Sequence, residues 1–108
     1  MNAVIEKLPA LVEEELEAAN SIHTVFHSLH EGYAVLLEEM EEARSELIDA
    51  EACLLRLWEA VKGDRTVEAQ SAARNLEWHA VCLAAEAIQV AAMARKFQAI
   101  EEGWVPNG

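Results

Sequence analysis

From Leu29 to Val61 the chain repeats one pattern: Leu29, Tyr33, Leu36, Met40, Ala43, Leu47, Leu54, Trp58 and Val61 fall three or four residues apart, or at multiples of that spacing. An α-helix brings the same face round at that interval, so the stretch predicts a single long helix with an apolar stripe. Its ends are marked. Ser28-Leu-His-Glu31 has the serine-to-glutamate spacing of a capping box, and Lys62-Gly63 is a cation followed by the residue that most often closes a helix.

Two further helices flank it. Leu8, Leu11, Val12, Leu16 and Ala19 lie at helical spacing with Glu13, Glu14, Glu15 and Glu17 on the opposite, solvated side, and Pro9 sets the start. Asn20-Ser21 breaks that pattern. After a turn at Asp64-Arg-Thr66, the residues Leu76, Leu83, Ala87, Val90, Ala94 and Phe97 carry a third helix up to Gly103, followed by a tail in which Trp104 folds back on the last turn. With 108 residues in one domain, 1–108, such a fold is thin and gains by pairing with a copy of itself. The expected architecture is all-α: a short N-terminal helix plus a long antiparallel helical hairpin, with a four-helix-bundle core completed by dimerisation.

Charge narrows the partners. A net charge of −12 repels long nucleic acid, whereas a small anion bridged by a metal is compatible with a carboxylate cluster. Cys53 and Cys82 have no metal-type spacing and sit in apolar stretches, which favours two reduced, core-filling thiols over a disulfide. No signal-peptide pattern opens the sequence, and the most apolar run, Val81 to Ala94, is interrupted by Glu86 and Gln89, so a cytoplasmic protein with no membrane partner is expected.

Two acidic pairs occupy matching positions. Glu39 and Glu42 follow the stripe residue Leu36 by the same intervals at which Glu86 and Gln89 follow Leu83, which puts each pair at the same edge of its own stripe. In a hairpin turning at Asp64 or Arg65, Glu39 falls level with Gln89 and Glu42 with Glu86. Three converging carboxylates repel one another unless a cation lies between them, and hard oxygen donors select Mg²⁺ or Mn²⁺. The competing reading is coincidence on Glu-rich helices. Glu46 and Asp49 continue the same ladder, with Asp49 too far along to join the ligand set.

Other candidates surround these. By the hairpin level His79 faces Asp49, and Lys96 comes near Gly32 and Tyr33, where its cation would hold phosphate oxygens or else remain a surface lysine touching nothing. His23, His27 and His30 have a spacing open to metal, but they straddle the predicted helix start; loop residues lining a substrate mouth are the simpler reading. Trp58 and Trp78 read as core or interface residues rather than base-stacking platforms.

The segment His30-Glu-Gly-Tyr-Ala-Val-Leu-Leu-Glu-Glu-Met-Glu-Glu42, together with Glu86-Ala-Ile-Gln-Val-Ala-Ala-Met-Ala-Arg-Lys96, resembles the MazG-like branch of the all-α nucleoside triphosphate pyrophosphohydrolases. That family carries E-E-x-x-E on one helix and E-x-x-D on the next. Glu38, Glu39 and Glu42 match the first motif, and Glu86 matches the glutamate of the second. The resemblance spans Ser28 to Phe97 and implies hydrolysis of a nucleoside triphosphate to monophosphate and pyrophosphate, with Mg²⁺ as cofactor, in a homodimer or a dimer of dimers. It implies metal ligands at Glu39, Glu42 and Glu86, and Glu38 as the residue orienting or deprotonating water. From their own positions near that cleft, and not from the resemblance, His30, Tyr33, His79 and Lys96 are the candidate substrate contacts. Two departures stand out: Gln89 replaces the family's aspartate and removes one negative charge, and the connection between the motifs is longer than usual.

A second class of function is a helical interaction module whose stripes self-associate and whose acids keep it soluble. A di-iron carboxylate bundle needs Glu-x-x-His on two helices, and no glutamate here is followed by histidine three residues on.

Overall fold

The computed structural model describes residues 3–22 and 25–100. Among these residues a turn of 3-10 helix, Ile5–Lys7, leads into α1 (Leu8–Asn20), α2 (Leu29–Lys62) and α3 (Thr66–Gln98), and there is no strand. The all-α expectation holds, and α2 begins and ends at the predicted residues. α3 stops short of Gly103: the N–H groups of Ala99 and Ile100 bond to the carbonyls of Lys96 and Phe97 three residues back, tightening the last turn. The tail with Trp104 lies outside the described residues.

Each helix end has a local cause. Pro9 lies in the first turn of α1, where no intrahelical N–H is missed. At the start of α2 the Ser28 hydroxyl oxygen accepts the Glu31 N–H at 3.0 Å, the first half of the predicted capping box. At its end the Arg65 N–H bonds to the Ala60 carbonyl and the Asp64 N–H to the Val61 carbonyl, the double closure of a Schellman motif. The left-handed residue there is Asp64, at φ 52°, not the glycine before it. Gly63 instead leaves room for the Arg65 side chain, whose guanidinium donates to the Glu59 carbonyl at 3.0 Å.

The chain divides into two compact units, one formed by residues up to Met40 and from Ala87 onward, the other by Glu41–Glu86. In the first, Val12, Phe26, Ala92 and Met93 form the buried core, with Leu16, Val35, Leu36, Ile88 and Phe97 packed around it. Gly32 sits where the rings of Phe97 and Phe26 press against α2; a Cβ there would collide with Phe97. Arg95 donates to Glu13 at 2.7 Å across a wet surface, a pair worth at most about 1 kcal/mol.

The second unit is a helical hairpin turning at Gly63–Arg65, and its buried side chains are small: Ala50, Cys53, Ala60 and Ala72. Small residues let two helix axes close to the lower end of the usual 8–10 Å range, at about 8 Å. Cys53 and Cys82 are both free thiols, Cys53 fully buried and Cys82 half-buried.

The predicted packing fails most widely on the apolar stripe of α2; single members of the other stripes, Leu11 on α1 and Ala87 on α3, are exposed as well, and Glu15 is half-buried. Leu29, Tyr33, Met40, Leu47, Leu54, Trp58 and Val61 are 45–63% exposed. The covered line of α2 is instead Leu36, Glu39, Ala43, Glu46, Ala50, Cys53, Leu57 and Ala60, alternating steps of three and four. α3 has a matching line through Ala69, Ala72, Leu76, His79, Leu83, Glu86, Val90, Met93 and Phe97, which Ile100 continues just past its end. Polar and small side chains therefore occupy the inner seam of the long helices, and the bulky ones of α2 lie outside it.

Candidate functional site

The inner seam puts ionisable groups where leucine would ordinarily stand. Glu39 and Glu46 on α2, and His79 and Glu86 on α3, are half-buried because the heptad interval that carries Ala50 and Leu76 also carries them. Beside this seam, one step round each helix, stand Glu42, Asp49, Cys82 and Gln89.

Within the second unit two groups meet. His79 Nδ1 donates to Glu46 Oε2 at 3.0 Å, with Asp49 Oδ2 at 4.0 Å, so His79 and Asp49 are level as the hairpin register predicts. Closer to the unit's other end, Glu42 and Glu86 bring carboxylate oxygens within 4.8 Å of each other. Glu86 Oε2 is buried without a hydrogen-bond partner. Burial pushes the Glu86 carboxyl above its ordinary range; the charge of Glu42 and a hydrogen bond with it push the same way, and Glu46 adds to them. Glu86 thus holds its proton to higher pH than an isolated glutamic acid does.

Cys82, one turn before Glu86, lies in the same field. Burial and the charges of Glu46 and Glu86 raise its thiol pKa, which disfavours the thiolate and hence its use as a nucleophile. Cys82 is therefore not the plain core filler that its apolar stretch predicts. Its signal was present in its spacing, since it lies four residues before Glu86 and so on a neighbouring face.

Comparison with family models, with curated proteins and with solved structures gave no match to this chain. The resemblance to the MazG-like enzymes accordingly rests on the motif residues themselves.

Glu39 is half-buried and stands one turn before Glu42 on α2. Gln89 is half-buried one turn beyond Glu86 on α3, and Glu38 is exposed. His30 and Tyr33 are exposed on the first turns of α2. Lys96 departs from the reading of a surface lysine touching nothing: it is 8% exposed, with Nζ 4.9 Å from the centre of the Phe26 ring, a cation–π contact in the first unit. His27 is exposed and His23 lies outside the described residues. Trp58 and Trp78 are 54% and 63% exposed, which removes the core reading for both. Lys62 Nζ lies 5.6 Å from the Trp58 ring centre. Among the described residues no helix is long and apolar enough to cross a membrane.

Proposed function

We propose that this chain is a Mg²⁺-dependent nucleoside triphosphate pyrophosphohydrolase, releasing monophosphate and pyrophosphate, with two copies completing a four-helix core. The observation that carries the reading is the Glu86 carboxylate oxygen, buried without a partner beside a second carboxylate, Glu42. Buried like charges are costly, and a divalent ion accepting both oxygens removes that cost. Hard oxygen donors fit Mg²⁺ or Mn²⁺, so in this reading Glu39, Glu42 and Glu86 hold the ion and the Gln89 carbonyl is a neutral fourth donor. Bound there, the ion would supply charge neutralisation for the phosphates and make the attacking water more acidic.

The protein's own groups do the rest in this reading. Glu38, exposed beside Glu39, orients water and takes its proton. His79, held by Glu46 through Nδ1, is a candidate polar contact for the substrate, and His30 and Tyr33 are exposed in the single chain. Lys96, whose Nζ lies over the Phe26 ring, is the cation proposed for the phosphate oxygens. Incubating the protein with a panel of nucleoside triphosphates and Mg²⁺ tests the proposal: pyrophosphate appears, and is lost in Glu39→Gln and Glu86→Gln. No pyrophosphate from any triphosphate at high Mg²⁺ removes it.

The second reading, a helical interaction module, is favoured by the exposed apolar face of α2. It expects both glutamine variants to be neutral or stabilising and divalent ions to have no effect.

A further inference from the structure

The outer face of α2 has an order of its own. Tyr33, Leu37, Met40, Arg44, Leu47, Glu51, Leu54, Trp58 and Val61 alternate steps of four and three along one continuous helix, which makes a second heptad seam about 100° from the covered one. Its seven apolar members are 44–63% exposed, and its two charged members are exposed as well. At about 100 Å² apiece, these half-exposed side chains offer on the order of 700 Å², close to the roughly 800 Å² that each partner of a stable complex buries. The seam is about 40 Å long at 1.5 Å per residue.

What identifies the occupant is the order of residues along the seam, because it reads the same from both ends. Counting outward from Leu47, each step meets a counterpart: Arg44 and Glu51, then Met40 and Leu54, then Leu37 and Trp58, then Tyr33 and Val61. We propose that α2 packs antiparallel against α2 of a second copy, about a two-fold axis at Leu47. Arg44 then lies opposite the other copy's Glu51, twice by symmetry, and every remaining position is apolar on apolar. A parallel, in-register pair would set Arg44 against Arg44 and Glu51 against Glu51, which costs energy at both places. The axis is thus selected by charge, and the buried area by the seven apolar side chains.

This interface deepens the two-copy part of the hydrolase reading and spares its proposed ion ligands, since the seam contains none of Glu39, Glu42 and Glu86; it covers Tyr33, so in the dimer the substrate contacts are left to His30, His79 and Lys96. It specifies which face makes the dimer and in which direction, and it leaves the acidic side uncovered.

Sedimentation equilibrium on the full chain, with circular dichroism to verify helicity, tests it. The wild type should weigh twice its 12.0 kDa chain mass. Arg44→Glu places like charges opposite each other in both symmetric contacts and should weaken the dissociation constant about tenfold; Leu47→Glu, at the axis, should weaken it further. The double variant R44E/E51R should return to within about threefold of wild type, a recovery that a damaged fold would not show. A monomer at every concentration overturns the proposal. So does a dimer indifferent to Leu47→Glu, or a double variant no tighter than Arg44→Glu alone. Pyrophosphate release is a separate readout, so failure of this interface and failure of the hydrolase reading are told apart.

Discussion

Glu86 shows how one side chain couples pH, metal and stability. Its pKa is raised from the ordinary 4.5, first by burial and then by Glu42, so the folded protein binds this proton more tightly than the unfolded chain does. Its contribution to stability is therefore complete below about pH 4.5 and is lost as pH rises through the folded value. Glu86→Gln keeps the shape without the charge. In metal-free buffer at pH 7 it should melt higher than wild type, and its melting temperature should vary less between pH 4.5 and 7, as pH-series calorimetry would show. Gly32 makes a steric counterpart. Alanine would gain up to about 1 kcal/mol of helix propensity there, but its Cβ would strike the Phe97 ring, and overpacking of this kind costs about 1–3 kcal/mol. A ring confined between Phe26 and α2 cannot yield as a flexible side chain does, so Gly32→Ala should lower the urea midpoint.

Helix ends are the level at which sequence and structure agree most closely. Ser28, Glu31, Lys62 and Gly63 place the limits of α2 because capping is decided within a few residues, without reference to the rest of the fold. Even so, the left-handed position falls on Asp64, and that choice comes from the closure of the Arg65 and Asp64 N–H groups onto α2. A non-glycine residue in that conformation costs about 1 kcal/mol, so Asp64→Gly should raise stability by a similar amount. Ser28→Ala removes the acceptor for the Glu31 N–H and should cost about 1 kcal/mol. Chemical denaturation of both variants would check the two signs.

For the molecule as a whole, the hydrolase reading makes a thermodynamic demand that precedes catalysis. If Mg²⁺ binds the folded acids and not the unfolded chain, a tenfold excess over its dissociation constant stabilises by about 1.4 kcal/mol. That should appear as a rise of about 5 °C in melting temperature, absent in Glu86→Gln. The sequence by itself determined the number of helices, the bounds of α2, the turn at Asp64 and the level of His79 with Asp49, since periodicity, caps and hairpin register are local or one-dimensional. Only tertiary structure decided which of the two seams on α2 is covered. Apolarity favoured the seam of Leu47, Leu54 and Trp58, but close approach of two helix axes needs small side chains, and Ala50, Cys53 and Ala60 supply them. That choice draws Glu46, His79 and Glu86 inward with the small residues, and it leaves the bulky face of α2 outside.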